Sequence, residues 1–274
     1  MAFDVSHPEI REVVRRALAE DIGPGDITTN LCVPEGAQAT GRMIAQESLT
    51  VAGVELLPLI FTDCIVALTR RSGDLAKAGD EIAVVQGPAR ALLTGERTAL
   101  NFVQRLSGVA TLAAAYVRAV KGTRCRILDT RKTTPGLRQL EKMAAAAGGA
   151  TNHRIGLFDA VLIKNNHITA AGGVRAALEH TRDAGVPVEI EVRTREELDQ
   201  ALACGVTHLL LDNLSPAEAK DWVLRIDGRA TVELSGGITL ETARAYAETG
   251  ADFLSSGAIT HSARAVDINF RLEL

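Results

Sequence analysis

Apolar positions follow two rhythms along this chain. Residues 7 to 20 (HPEIREVVRRALAE) carry Ile10, Val13, Val14 and Leu18 at helical spacing, and the DIGPGDITT that follows is turn chemistry that ends the helix. From about 37 to 92, short apolar runs (RMIAQ, LTVAGV, CIVALTR, EIAVVQG, ARALL) alternate with Gly and Asp turns such as SGD and AGD, the pattern of a small β-rich layer. Two helices are predicted next, over LLTGERTALNFVQRLSG and TLAAAYVRAVKG.

Beyond about residue 123 the rhythm changes. The runs RILDT, AVLIK, VEIEV, HLLLD, TVELS and DFLSS begin near 126, 160, 188, 208, 231 and 252, with helical stretches between them. Later spacings of about 20 residues suit βα units with short loops. Strands this continuously apolar are what a parallel sheet covered on both faces requires, and six or seven such units close, or nearly close, a TIM-like barrel. No GxGxxG follows the first of these strands, which counts against a doubly wound sheet.

Composition narrows the function. The 274 residues are 46% hydrophobic and 23% charged, with a net charge of -4, so nothing draws the whole molecule to nucleic acid or an anionic membrane and any cation cluster serves a local site. The N-terminal MAFDVSHPEIREVVRR has no apolar segment of signal-peptide type, and no run approaches the ~20 residues of a membrane span, so a cytoplasmic protein is expected. Cys32, Cys64, Cys125 and Cys204 lie far apart in no metal-binding spacing and read as buried small residues.

A βα barrel builds its reactive face where strands end. In order, those ends read DTRK (129 to 132), KNNH (164 to 167), Glu191, Asp212, SGG (235 to 237) and SGA (256 to 258). Ser235, Gly236 and Gly237, and again Ser256, Gly257 and Ala258, put small residues at a strand–helix junction, which suits a phosphate as well as a plain tight turn. Two such loops on the last two strands favour a phosphosugar. Glu191 and Asp212 close successive strands, where they either hold Mg2+ or ribose hydroxyls or cap the following helices. Arg131, Lys132, His153, Arg154 and Lys164 gather cationic chemistry near the first two strand ends. For Lys164, anion binding, a Schiff-base amine and a solvated lysine are all open. Arg97 and Arg105, eight apart on a predicted helix, share a face that is either solvated or acts jointly at a contact.

Taken in order, DTRKTTPGLR, GGATNHRIGLFDAVLIKNNHI, VEIEV, LLLDN, SGGIT and GAITHS, together with the earlier EDIGPGDITT and GERTALNFVQRLSGVAT, closely resemble the quinolinate phosphoribosyltransferase family over nearly the whole chain. The resemblance implies an N-terminal α/β sandwich domain over 1 to 110, onto which about 265 to 274 pack back, and an open, incomplete TIM-like α/β barrel over 111 to 264. It implies transfer of phosphoribosyl from phosphoribosyl pyrophosphate to quinolinate with loss of CO2, giving nicotinate mononucleotide for NAD synthesis. It also implies a homodimer in which Arg97 reaches the partner's site. Quinolinate's carboxylates would then meet Arg97, Arg131, His153, Arg154 and Lys164, while Lys132 and Lys164 face phosphoribosyl pyrophosphate. Glu191 and Asp212 would hold the ribose hydroxyls and Mg2+, and the 235 to 237 and 256 to 258 loops the 5′-phosphate. Arg138 takes a supporting place behind these residues or at a subunit contact.

Two positions depart from the family's usual pattern. Asn165 stands where an acidic residue is usual and removes a charge beside Lys164, and Arg193 is expected to lie outside the innermost ring of residues. Three rivals remain: a phosphoribosyltransferase-like protein of molybdenum-transport loci, a Schiff-base aldolase using Lys164, and a non-catalytic phosphosugar-binding protein.

Overall fold

The computed structural model describes residues 3 to 274; Met1 and Ala2, which open the first expected domain, lie outside the described residues. The chain divides into two compact units, one of residues up to 114 with 133 to 149 and 259 to 274, the other of 115 to 132 with 150 to 258.

The first unit opens with helix α1 (Pro8–Ile22), which buries Ile10 and Val14, starts on Pro8 and ends at Gly23, whose φ of 53° few other residues adopt. Helix α2 (Ile27–Cys32) is capped by the Asp26 carboxylate, which accepts the Thr29 N–H at 2.9 Å. There follow β1 (Gln38–Ala45), β2 (Leu49–Thr50), α3 (Leu57–Ile60), β3 (Ile65–Leu68), β4 (Leu75–Ala76), β5 (Glu81–Pro88) and α4 (Ala89–Ala119). The chain's last strand, β12 (Ile268–Glu273), returns to pair antiparallel with β1, giving the sheet order β12-β1-β5-β3. Alternate residues Ala39, Gly41, Met43 and Ala45 of β1 are buried, the signature of a sheet with one covered face. Gly41 is required there because a Cβ would overlap the ring of Phe270, which itself stacks on Phe61 with centroids 6.0 Å apart.

The ITT of DIGPGDITT, read as turn, opens α2, and two further expectations from the sequence fail at α4. ARALL, read as a strand, is its first turn, and the two predicted helices are one helix of 31 residues. Ser107 and Gly108 look like a break but serve close packing. The buried Ser107 hydroxyl accepts the Ala52 N–H at 2.9 Å and donates to the Ala52 carbonyl, while any Cβ at Gly108 would overlap the Arg264 carbonyl. Tertiary approach outweighs the helix cost of glycine here.

The segment 133 to 149, which the sequence leaves with the barrel, belongs to this unit through helix α5 (Arg138–Ala147). Its fully buried Glu141 accepts from Arg105 Nη2 at 2.7 Å and Nε at 3.1 Å, and from the Thr134 hydroxyl and N–H at 2.7 and 3.0 Å. Arg105 is thus a structural cation, not a solvated one. Arg138 donates Nε to the Thr133 hydroxyl at 3.1 Å.

The second unit holds the six expected strands as one parallel sheet: β6 (Arg126–Leu128), β7 (Val161–Ile163), β8 (Val188–Val192), β9 (His208–Asp212), β10 (Thr231–Ser235) and β11 (Phe253–Ser255), in the order β6-β11-β10-β9-β8-β7. Helices α6 (Asn165–Ala171), α7 (Val174–His180), α8 (Arg195–Ala203), α9 (Pro216–Ile226), α10 (Ala243–Ala247) and α11 (Ala258–His261) follow the strands in turn. Each strand from β7 to β11 neighbours the next in sequence, and β6 joins beside the last, so the sheet winds one way as an open α/β barrel. At its other edge β6 gains only a single parallel bridge, Leu128 to Thr151. Ile190, Val192, Leu209, Leu211, Val232, Leu234 and Leu254 form the buried face. The residues between them face the opposite side.

Of the cysteines read as buried, only Cys125 is; Cys32 is exposed, Cys64 and Cys204 are half-buried, and all four are free. Among the described residues, no helix is long and apolar enough to cross a membrane.

Candidate active site

The carboxyl ends of the parallel strands surround a cavity of about 500 Å3, lined entirely by residues of the second unit. It gathers the expected Arg131, Lys132, His153, Arg154, Lys164, Glu191, Asp212, Ser235, Gly236 and Gly237. Arg97 is exposed on α4 of the first unit. Ser256, Gly257 and Ala258 do not line the cavity, and the buried Ser256 hydroxyl donates to the Ile238 carbonyl at 3.0 Å.

The cationic wall is built on Asp129. This carboxylate, buried at the end of β6, accepts the His153 N–H at 2.8 Å and the Asn152 amide at 2.6 Å, fixing the loop that carries His153 and Arg154. Arg154 Nη1 donates to the Ala160 carbonyl at 3.0 Å, which holds the guanidinium in place. Burial, then the charge of Arg131, pushes the Arg154 pKa down. Arg131 Nε and Arg154 Nε are both buried and reach no hydrogen-bond partner among the described residues. Two guanidiniums crowded together with unmet donors are a cradle for an anion.

The acidic wall faces them. Lys164 ends β7 and leads into α6, its N–H donating to His167 Nδ1 at 2.9 Å, and its Nζ lies 4.0 Å from Glu191. Burial, then the nearby Asp212 charge, raises the Glu191 pKa, with Lys164 and Arg193 opposing. Neither carboxylate caps a helix: Thr194 caps α8 and Ser215 caps α9. Both remain available to a ligand. Gly236, with φ of 95°, lies so close to Asn213 that a side chain there would overlap it. The turn after β10 is therefore restricted to glycine and exposes backbone to the cavity.

Two features depart from the sequence reading. Arg193, expected outside the innermost ring, lines the cavity beside Asn165, which stands next to Lys164 as expected. Glu189 and Glu233 stand beneath the rim, within 3.3 and 3.5 Å of His153 Nε2. Burial, then the charge of Glu189, pushes the Glu233 carboxyl up to about 7, while His153 pulls it down. The strand period of two carries their signal: Glu189 shares a face with Glu191, and Glu233 with Ser235.

Fold and cavity together define an α/β-barrel protein with clustered cations and carboxylates at the carboxyl ends of its strands. The chain belongs to the quinolinate phosphoribosyltransferase family: residues 26–107 match the family's N-terminal domain and residues 109–271 its C-terminal domain. It is 44% identical to the nicotinate-nucleotide pyrophosphorylase [carboxylating] of Mycobacterium leprae, over 99% of this chain and 100% of the relative. It is 38% identical to the probable enzyme of the same name from Bacillus subtilis, over 98% and 96%. The solved structure of the nicotinate-nucleotide pyrophosphorylase from Francisella tularensis superposes with a TM-score of 0.92 at 37% identity, over 97% of this chain and 98% of that one.

Proposed function

We propose that this protein transfers the phosphoribosyl group of phosphoribosyl pyrophosphate to quinolinate, with decarboxylation, giving nicotinate mononucleotide, pyrophosphate and CO2 in NAD synthesis. The observation that carries this reading is the pair of crowded guanidiniums, Arg131 and Arg154, whose buried Nε atoms lack partners. A planar dicarboxylate meets that demand bidentately.

In this reading Arg131, Arg154 and His153 orient quinolinate with Lys164, and Lys132 and Lys164 face the polyphosphate. The turn at 235 to 237 receives the 5′-phosphate. Glu191 and Asp212 hold the ribose hydroxyls and Mg2+. Their carboxylate oxygens suit that hard ion. When bound, the ion supplies charge neutralisation to the leaving pyrophosphate. The pyridine nitrogen is its own nucleophile, so the protein's work is positioning and electrostatics as C1 becomes oxocarbenium-like. The new pyridinium then stabilises the carbanion left by CO2.

The reading extends to a homodimer in which Arg97 enters the partner's cavity, and to the cytoplasm, where four free thiols persist. An assay with quinolinate, phosphoribosyl pyrophosphate and Mg2+ tests the activity; no nicotinate mononucleotide sinks it, and equal turnover of nicotinate removes the two-carboxylate argument. For the dimer, Arg97→Ala and Lys164→Ala, each inactive alone, should regain activity when mixed; a verified mixed dimer without recovery overturns the crossing of Arg97.

A further inference from the structure

We propose that Glu233 supplies the proton that replaces the departing carboxylate, an inference that rests on the quinolinate reading. Once CO2 leaves, the carbon that held it needs a proton, and the cations along the wall are poor sources. Guanidiniums do not give up protons in proteins, and Lys164 is half exposed beside Glu191. Glu233 differs from every other acid around the cavity. It stands two residues below the end of β10, on the face of Ser235, is 4% exposed, and has an Oε1 that reaches no partner among the described residues.

The hydrogen bonding around it argues for a carboxylic acid. His153 Nδ1 accepts the Arg154 N–H at 2.7 Å, so the neutral ring carries its proton on Nε2. That one N–H faces two carboxyl groups, Glu189 Oε2 at 3.3 Å and Glu233 Oε2 at 3.5 Å. It cannot neutralise both, and the more deeply buried of two adjacent carboxyls is the one that keeps a proton. The charged and polar groups turned toward Glu233 are Glu189 from β8, His153 from the loop after Thr151, Lys164 at the end of β7 and the Ser255 hydroxyl from β11. Burial and Glu189 together outweigh His153, the Ser255 hydroxyl and Lys164.

The same three groups, His153, Glu189 and Glu233, lie within 4.8 Å of one another, close enough to suggest a metal centre. The tautomer argues otherwise. A ring nitrogen that carries hydrogen has no lone pair for a cation.

The step balances. The bond from C2 to the carboxylate breaks, CO2 leaves and the electron pair stays on C2 beside the pyridinium nitrogen. The Glu233 O–H bond then breaks as its proton bonds to C2. Glu233 is left as a carboxylate that accepts the His153 Nε2–H, and water entering after product release returns the proton.

The test uses the full-length enzyme with quinolinate, phosphoribosyl pyrophosphate and Mg2+. Glu233→Gln should lower kcat about 100-fold while both KM values hold within about twofold. Wild-type kcat should fall as pH rises through about 7, and the Gln variant should lack that limb. Glu233→Asp should restore part of the rate. A Gln variant with the wild-type rate, or with the same pH limb, overturns the proposal. So does a variant that loses quinolinate binding, measured by calorimetry without the second substrate, together with its activity, since that assigns Glu233 to structure. A wild-type protein inactive on quinolinate overturns the proposed function itself, and a failure confined to the variant leaves that function standing.

Discussion

Glu141 in the first unit and Glu233 in the second have almost no surface, at 0% and 4% exposure, yet their surroundings are opposite. Glu141 accepts four hydrogen bonds, two of them from the Arg105 guanidinium, which also donates to the carbonyls of Thr260 and Ala263. Glu233 has a second carboxyl for a neighbour, a shared imidazole N–H and one oxygen unmet. A fold that satisfies the first so fully has the means to satisfy the second. The shortfall at Glu233 therefore reads as a demand left for chemistry.

Mutation should separate the two kinds of site. The largest effect falls on the satisfied one. Glu141→Ala leaves the half-buried Arg105 fork without its anion and should cost about 3 kcal/mol in urea unfolding; a loss below about 1 kcal/mol would show that the pair does not hold α5 to α4.

At the unsatisfied sites, function and stability should come apart. Arg154→Ala should weaken quinolinate binding about 30-fold by calorimetry, since a charge-assisted hydrogen bond is worth about 2 kcal/mol, and leave stability nearly unchanged because it also relieves Arg131. Equal losses in both would make Arg154 a second Arg105.

Glu233→Gln carries a pH signature. The folded carboxyl binds its proton more tightly than the ordinary value of 4.5, so that contribution is complete below 4.5 and lost as pH rises through about 7. Relative to wild type, the Gln variant should gain about 2 kcal/mol between roughly pH 5 and pH 8. A difference that does not change with pH would mean that Glu233 titrates normally.

The smallest effect, and the opposite sign, belongs to Glu47. Arg264 and the Asp267 N–H hold its carboxyl down at about 2, so its contribution is present above 4.5 and lost as pH falls through 2. Glu47→Gln should shift acid unfolding slightly upward in pH; no shift would place this ion pair with the many surface pairs that contribute nothing measurable.

Much of this was legible in the chain. All six barrel strands stand where short runs rich in apolar residues placed them, each bounded by turn residues and followed by a helical stretch. The strand ends were legible too, since polar residues interrupt those runs abruptly. What stayed hidden depended on contacts distant in sequence. Ser107 and Gly108 look like a stop until the Ala52 and Arg264 backbones arrive against them. Glu189 and Glu233 hide within strands whose neighbours are apolar, and only the sheet register brings both to His153. Arg193 was misplaced because one residue past a strand end can turn either way.

The last strand has a consequence for how the protein is made. Strand β12 completes the sheet begun by β1, pairing Ala45 with Ile268 and Thr40 with Glu273. A ribosome delivers these partners more than two hundred residues apart, so β1 waits with an open edge until β12 emerges, by which time every strand of the parallel sheet has been made. Vectorial synthesis thus favours folding the later unit first, and a ribosome that stops near residue 265 releases a chain in which β1, paired with β5 on one side, still has its other edge bare.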